Sequence, residues 1–432
     1  RWETVDGEPL VDVNVQAVGA HHWFPCKTAR DHPEDRADRV WVDLLVPANM
    51  IGVSNGRLVG TRAVTEEDDR KWKQWRWRHE YPLATYGVAL AVGRYEEVTT
   101  TLELPELERS LRFSYYVRPQ TLERAEVQFA EVRELLEVYS RAFGPWPFPD
   151  AKIGLVEGAH LTSEHSTAMS YGSSYPAWLK SEDLDDPKAA INLGYDYVLV
   201  HQLAHEWWGN AVAARSWHDF WLHEGFATYA ESLWVEHLGG REASDAFFLE
   251  HASRIDPDSP LIPRRLKATM AEAFHPGIYY KGAWVLHMAR HRMNDDAAWW
   301  RALRLFQARH RYGSATTLDF LLTLAEVSDE DWSSFFDEWV YGTGMPRLTG
   351  TVRTRPDGIE VRVENTTRDG RSFHVPLDLS WIEAGDQIYE RVELVPGSNR
   401  IEIPCGAPPR EVCVENLHRV LGFHSVTVED DR

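Results

Sequence analysis

Two histidines one helical turn apart, followed by a glutamate, constrain the fold of this chain more than any other feature. His201 and His205 are four residues apart, so a helix places both side chains on one face. Glu224 follows in a separate predicted helical segment, residues 219–238. Two histidines and a glutamate form a ligand set of catalytic zinc that leaves one coordination position open. The chain is therefore expected to pack two consecutive helices so that these three side chains meet.

The residue after the first histidine differs from the one that hydrolytic zinc sites of this pattern use. In H-E-x-x-H, the glutamate takes a proton from the attacking water. Position 202 is a glutamine, which hydrogen-bonds a water but cannot accept its proton. The sequence therefore predicts a metal site without its general base.

Patterns of hydrophobicity divide the 432 residues into three predicted domains, at 1–104, 105–345 and 346–432. The first is a β domain that begins inside a β structure, as if truncated at its start; its Ser-Asn-Gly turn at 54–56 predicts a hairpin. Its charged segment 65–78 predicts a loop or solvated edge. The second domain is mainly helical, and the third is a small β-sandwich. Helices are predicted at 121–143, 190–209, 219–238, 283–293, 297–310, 317–326 and 331–341.

The composition of the chain disfavours some classes of binding partner. The net charge of −21 disfavours binding to nucleic-acid phosphates, which requires basic patches. No apolar run approaches the roughly 18 residues of a membrane span. We expect no nucleic-acid or membrane partner and a cytoplasmic location, while the oligomeric state is left open. The 19 Trp, 16 Tyr and 16 Phe favour aromatic-lined cores or clefts.

The residues around the predicted metal ligands resemble the aminopeptidase N-like family of zinc metallopeptidases, the gluzincins. The resemblance is carried by His-Gln-Leu-Ala-His-Glu-Trp-Trp-Gly-Asn at 201–210 and Trp-Leu-His-Glu-Gly-Phe-Ala at 221–227. It implies a multidomain α+β protein with a thermolysin-like, mainly helical catalytic domain. It also implies one zinc ion per chain, held by His201, His205 and Glu224, with the family's general base replaced by glutamine.

Two further segments resemble parts of the family that bind the substrate's N-terminus. Glu164 lies in a variant of the Gly-x-Met-Glu-Asn exopeptidase loop, where it would pair with the substrate's α-ammonium, with His165 beside it. The loop departs from the family at Leu161 and Ser163, which stand where relatives have Gly and Met. Gln16 falls at a position that helps to hold the free amine. The resemblance therefore implies a peptide or aminoacyl substrate with a free N-terminus.

A third segment supplies a candidate oxyanion donor. Tyr-Tyr-Lys-Gly at 279–282 resembles the family's Tyr-x-Lys-Gly, and Tyr279 matches the tyrosine that donates to the tetrahedral intermediate. Tyr280 is expected to be a packing residue. Glu206, next to the second metal histidine, and His223, next to Glu224, are interpreted as structural.

Three functions fit these residues. The first is a zinc aminopeptidase that Gln202 renders nearly inactive, so that it binds substrate but barely turns it over. The second is a natural pseudoenzyme that binds peptides or amines. The third is a related zinc hydrolase, an endopeptidase or an epoxide hydrolase. Glu164 argues against an endopeptidase, because an internal peptide bond offers no cation to a buried carboxylate.

Overall fold

The computed structural model describes the chain except residues 1, 6, 14, 16–18, 28–33, 66–68, 105–109, 160–161, 173–194, 264–267, 369, 372 and 431–432. In the described residues, helices and sheets are mixed as in a multidomain α+β fold. Within the same residues, no helix is both long and apolar enough to cross a membrane.

The strands of the described residues are β1 (Trp2–Val5), β2 (Glu8–Asp12), β3 (Arg36–Ala37), β4 (Val40–Pro47), β5 (Ile51–Val53), β6 (Arg57–Thr65), β7 (Lys71–His79), β8 (Leu83–Ala84), β9 (Ala91–Gly93), β10 (Glu96–Glu103), β11 (Ser110–Val117), β12 (Ile153–Gly158), β13 (Thr162–Ser163), β14 (Met169–Gly172), β15 (Val212–Ala214), β16 (Gly313–Ala315), β17 (Arg347–Arg355), β18 (Gly358–Thr366), β19 (Val375–Glu383), β20 (Asp386–Leu394), β21 (Gly397–Pro404), β22 (Arg410–Val414) and β23 (Phe423–Asp430). The α-helices are α1 (Leu122–Gln128), α2 (Val132–Phe143), α3 (Tyr197–Ala204), α4 (Trp221–Ala252), α5 (Met270–Ala273), α6 (Pro276–Met293), α7 (Asp296–His310), α8 (Thr317–Ser328) and α9 (Ser333–Trp339).

The N-terminal part contains three small sheets, ordered β1-β2-β9-β5, β3-β8 and β4-β7-β6. The prediction of a loop or edge at 65–78 is wrong for most of that segment, because β7 is the central strand of its sheet. The strand alternates, so that Trp75 and Trp77 are buried while Arg76 between them is exposed. Because the residues of the outer face are charged, the sequence pattern did not indicate that the inner face of β7 is apolar.

The Ser-Asn-Gly segment forms a turn but not the predicted hairpin. β5 pairs with β9, whereas β6 pairs with β7, so the turn joins two different sheets. Gly56 has the positive φ of 78° that the turn requires. Asn55 is buried; its side-chain amide donates to the Gly87 carbonyl at 2.9 Å and its Oδ1 accepts from the Ala89 amide at 2.7 Å. The turn is therefore packed into the molecule and does not project from a sheet edge.

The middle part combines a five-stranded mixed sheet, ordered β10-β11-β12-β14-β13, with the described helices. β10 precedes the predicted boundary at residue 104, yet it pairs along its length with β11, which follows that boundary. The helix predicted at 121–143 is divided into α1 and α2 by a 3₁₀ turn. α6 begins at Pro276, capped by His275, well before the predicted start at 283. This earlier start places Tyr279 in the first turn of the helix.

Helices α4 and α6 approach closely beside the predicted site. A Cβ added to Gly225 would lie 3.0 Å from the Gly282 Cα, so any larger residue would require the two helices to shift apart. Glu224 precedes Gly225, and Tyr279 lies one turn before Gly282, so this contact sets the separation of the two functional candidates.

The C-terminal part contains two sheets, ordered β21-β18-β17-β23 and β20-β19-β22. Val352 and Val361 on one sheet and Leu377 and Leu379 on the other are all buried in the same hydrophobic cluster. This arrangement agrees with the β-sandwich pattern of alternating inward side chains. The two boundaries between the three domains remain predictions.

Candidate metal centre and substrate site

Two helices bring the predicted metal ligands together. α3 begins after Asp196, whose carboxylate accepts hydrogen bonds from the Val198 and Leu199 amides at 3.0 and 3.1 Å. One turn separates His201 from His205, which lies at the C-terminal end of α3. Glu224 lies in the first turn of α4, where the helix dipole favours a carboxylate, and α4 packs against α3.

The three ligand atoms form a nearly equilateral triangle. His205 Nε2 lies 3.0 Å from His201 Nε2, and Glu224 Oε2 lies 3.2 Å from His201 Nε2 and 3.4 Å from His205 Nε2. With bonds of about 2.0–2.1 Å, the ligands of a tetrahedral zinc lie about 3.3 Å apart. The second carboxylate oxygen of Glu224, Oε1, is buried and has no hydrogen-bond partner within the described part of the chain. The donor set and its spacing therefore fit a zinc ion.

In both histidines, Nδ1 points away from the triangle and faces a hydrogen-bond acceptor. His201 Nδ1 lies 2.9 Å from Glu231 Oε1, and His205 Nδ1 lies 3.0 Å from the Trp208 carbonyl oxygen. An acceptor at Nδ1 keeps the proton on that atom and leaves the Nε2 lone pair for a metal. Both rings are thus held in the tautomer that a metal requires.

The charges around the triangle favour a cation. Burial opposes protonation of His205, but the Glu164 and Glu224 carboxylates outweigh burial and raise the pKa of His205 to about 9. Burial would raise the pKa of Glu224, but His205 and His201 reverse this effect and hold that pKa below its usual value. Buried carboxylates in proteins are normally paired or bind metals, and two of them converge here.

A cavity of about 250 Å³ opens beside the triangle. Gln202 lies on its wall, and Gln202 Oε1 is buried without a hydrogen-bond partner among the residues that the structure describes. Tyr279 also lies on the wall, with its ring stacked on His201 at 6.2 Å between centroids. Burial and the Glu224 and Glu164 carboxylates raise the pKa of Tyr279, so the phenol keeps its proton. The remaining described residues of the wall are Thr162, Ser163, Tyr197, Val198, Thr228, Glu231 and Tyr280, with the three predicted ligands.

Glu164 is buried behind His205, outside the described cavity wall. Its Oε2 lies 3.1 Å from His205 Nδ1, but neither of its carboxylate oxygens has a well-aligned hydrogen bond from a described residue. Burial raises the pKa of Glu164 to about 7, against the opposing effect of His205. Tyr86, from the N-terminal part, is buried near this carboxylate. Burial is the main cause that raises the pKa of the Tyr86 phenol, and the negative charge of Glu164 raises it further.

The other predicted substrate residues are placed as follows. His165 is buried, burial lowers its pKa to about 4, and it is not among the described residues of the cavity wall. Ser163, one of the two departures from the family loop, lies on the wall. Gln16 and Leu161 fall outside the described residues, so their predicted positions stay predictions.

The two residues interpreted as structural, Glu206 and His223, make hydrogen bonds away from the three predicted ligands. Glu206 is buried and accepts hydrogen bonds from the Thr167 amide at 2.5 Å and the Ser166 hydroxyl at 3.1 Å. His223 Nε2 accepts from the Ala214 amide at 2.8 Å. Neither group belongs to the metal triangle.

Sequence reasoning missed Glu231, Tyr86 and Asn210. Glu231 follows Glu224 by two helical turns on α4, and that spacing alone indicates a carboxylate on the same face. Asn210 Nδ2 donates to the Glu164 carbonyl at 3.0 Å, although the two are far apart in sequence. No local pattern signals such a contact, and the same holds for Tyr86.

Parts of this chain are similar to known proteins. Residues 184–339 match the Peptidase family M1 domain. Endoplasmic reticulum aminopeptidase 1 of Homo sapiens is 25% identical over 431 residues, covering 87% of this chain and 43% of that protein. Probable aminopeptidase 1 of Sulfurisphaera tokodaii is 22% identical over 387 residues, covering 86% of this chain and 46% of that protein. The chain thus spans less than half the length of these curated relatives.

A crystal structure of a mutant M1 zinc metallopeptidase from Deinococcus radiodurans is similar, with a TM-score of 0.64 and 25% identity, covering 80% of this chain and 72% of that one. Another structure of a mutant of that enzyme, at TM-score 0.62 and 26% identity, holds a Tyr-Ser-Ala substrate. Together the matches show that this chain is similar to a class of hydrolases, the zinc metallopeptidases, and in particular to aminopeptidases. Within that class, the similarity is to the M1 family, whose domain matches residues 184–339.

Proposed function

We propose that this chain has the site of a zinc aminopeptidase that binds the free N-terminus of a peptide and hydrolyses it very slowly because position 202 is glutamine. The observation that carries the proposal is the triangle of His201, His205 and Glu224, with Gln202 and Tyr279 on the wall of the same cavity. The aminopeptidase names of the relatives support the reaction class.

The division of roles follows from the chemistry of each side chain. A bound zinc ion would polarise the scissile carbonyl and the attacking water. Gln202 can orient that water by a hydrogen bond but has no basic group to remove its proton. Tyr279, which keeps its phenolic proton, would donate a hydrogen bond to the oxygen on which negative charge develops. Binding would therefore persist while proton transfer fails.

Glu164 is the proposed anchor for the α-ammonium group. Its carboxylate is buried beside His205 and Tyr86, and burial raises its pKa to about 7, so an approaching group that is both a cation and a hydrogen-bond donor would stabilise its charged form. An α-ammonium group supplies both, whereas an acetylated N-terminus supplies neither the charge nor the same donors. Gln16 and His165 are proposed to assist on the strength of the family resemblance alone.

Metal content tests the centre of this proposal. Zinc-loaded and dialysed protein should retain about one zinc per chain, measured by mass spectrometry of the metal. His201→Ala should lose most of the zinc, because two ligands do not hold the ion as tightly as three. His237→Ala is the matched control, since His237 lies on α4 and contacts Glu134 outside the triangle. Protein that takes up no zinc, or a variant His201→Ala that keeps it fully, would contradict the proposed centre.

A further inference from the structure

The loop that carries Glu164 is held from two sides. We call residues 164–167 the anchor loop; all four are buried. Thr167 has a positive φ of 58°, a conformation that a β-branched residue adopts only when its surroundings impose it. The position of Glu164 therefore depends on the contacts of this loop.

On one side, the anchor loop is tied to the chain that follows the metal histidines. Glu206, adjacent to His205, accepts hydrogen bonds from the Thr167 amide and the Ser166 hydroxyl. Asn210 donates to the Glu164 carbonyl at 3.0 Å. These contacts link the anchor loop to the segment that positions the predicted second ligand.

On the other side, the N-terminal part holds the same loop. Asn55 Nδ2 donates to the Ser166 carbonyl at 2.6 Å, and the Gly56 amide donates to Thr167 Oγ1 at 2.7 Å. Asn55 is itself fixed, because it also bonds the Gly87 carbonyl and the Ala89 amide. The turn at 54–56 thus reaches across 111 residues of sequence to the loop.

A contact on only one side would let the anchor loop move away from the metal, whereas contacts on both sides fix it. Functional groups must be held to within about 0.5 Å for recognition or catalysis to be efficient. We propose that Asn55 is a positioning residue, which fixes Glu164 relative to the metal triangle and so sets the preference for substrates with a free α-ammonium group. This inference rests on the proposed function of Glu164.

The test uses the whole chain with its native Gln202, so that substrate binds without rapid turnover. Isothermal titration calorimetry gives dissociation constants for Tyr-Ser-Ala and for its N-acetyl form on zinc-loaded protein. The parent should prefer the free peptide on the order of 10- to 100-fold, as for a charge-assisted hydrogen bond. In Asn55→Ala, the preference should fall below about threefold, since Glu164 is no longer held at the amine position. Zinc content and the thermal midpoint are measured for every variant.

Ser54→Ala is the matched control. Ser54 is buried in the same turn and its hydroxyl donates to the Ala89 carbonyl at 2.7 Å, so the variant loses one buried hydrogen bond without losing the Asn55 contacts. Its preference for the free peptide should equal that of the parent. If Asn55→Ala fails to fold, Asn55→Asp keeps the side-chain size and the acceptor of the Ala89 amide but cannot donate to the Ser166 carbonyl, and it should reduce the preference in the same way.

The outcomes separate the two proposals. A parent that binds both peptides equally would overturn the role of Glu164 and, with it, this inference. A parent that prefers the free peptide, with the same preference in a folded Asn55→Ala or Asn55→Asp variant, would overturn the role of Asn55 alone. An equal loss of preference in Ser54→Ala would also overturn it, because the effect would then follow from damage to the turn in general.

Discussion

At the scale of single residues, Tyr279 and Tyr280 are neighbours on α6 with different hydroxyl environments. Both lie on the cavity wall, but the Tyr280 hydroxyl accepts a hydrogen bond from Arg254 at 2.9 Å. Tyr279 stacks on His201, and the Glu224 carboxylate adds to the burial that raises its pKa. Of the two tyrosines, Tyr279 is the one that contacts a predicted metal ligand, and its hydroxyl is not held by Arg254.

Replacing each tyrosine by phenylalanine separates these roles. In a Gln202→Glu background, Tyr279→Phe should lower kcat for amino-acid anilides by about 10²–10³-fold, the usual cost of losing an oxyanion donor. KM should change little, because the donor acts mainly on the transition state. Tyr280→Phe is the control and should keep kcat within a few-fold of the background. Equal losses in the two variants would show that Tyr279 acts only by packing.

Spacing and residue type were enough to predict that His201, His205 and Glu224 come together. The i, i+4 relation and a following helix leave few arrangements, and the structure brings the three side chains into one group. The contacts around them were not predictable in the same way. Asn55 and Asn210 meet the anchor loop through tertiary folding, and no local spacing specifies which distant loop they reach.

At the scale of helices and strands, the glycine contact between α4 and α6 positions both Glu224 and Tyr279. Gly225→Ala would place a methyl group 3.0 Å from the Gly282 Cα, so the helices must separate. We expect a loss of about 1–3 kcal/mol in the free energy of unfolding, as for other overpacked sites. Urea denaturation measures this loss.

The control for that change is Gly60→Ala, since a Cβ at Gly60 would meet no atom within 4 Å. In the Gln202→Glu background, Gly225→Ala should also lower kcat, because Tyr279 moves away from the metal triangle. A variant Gly225→Ala as stable and as active as Gly60→Ala would show that the helix spacing is not critical.

Element types were easier to predict from sequence than strand partners. The helical periodicity of the middle part corresponds to α1–α4 and α6–α9. The ends differ from the prediction, as in α6, whose start is set by the His275 cap. The turn at 54–56 was recognised, but its hairpin was not formed, because the pairing of β5 and β6 is decided by sheets assembled from distant strands. For β7, the charged residues of the exposed face led to the prediction of a loop or solvated edge, although two tryptophans of the strand are buried.

At the scale of the whole molecule, buried neutral histidines make the fold sensitive to acid. His79 is fully buried against the rings of Tyr81 and Phe148, and neither ring nitrogen has a hydrogen-bond partner in the described residues. Burial, together with the nearby charges of Lys152 and Arg36, lowers the pKa of His79 to about 3. The unfolded histidine protonates near pH 6.5 and the folded one does not, so stability falls as the pH drops below about 6.5.

Replacement of His79 should remove this contribution. When the pH falls from 7 to 5, one such histidine lowers the free energy of unfolding by about 2 kcal/mol, because it binds a proton only in the unfolded chain. His79→Phe should therefore lose about 2 kcal/mol less than the parent over this interval, measured by urea denaturation at both pH values. His21→Phe, at an exposed histidine, should behave as the parent does. Identical losses in His79→Phe and the parent would contradict the assignment.

The whole molecule combines three proposed zinc ligands, a candidate oxyanion donor and a candidate amine anchor with a glutamine where the general base is expected. Such a site should bind zinc and substrate and fail at proton transfer. The test is the hydrolysis of amino-acid anilides with a free amine by the parent and by Gln202→Glu, at matched zinc content.

The variant Gln202→Glu should hydrolyse these substrates about 10²–10⁴-fold faster than the parent, the usual contribution of a general base. N-acetylated anilides should remain uncleaved by both proteins. A zinc-loaded, folded Gln202→Glu variant that stays as inactive as the parent across a panel of free-amine anilides would contradict the aminopeptidase assignment and favour a peptide- or amine-binding protein instead.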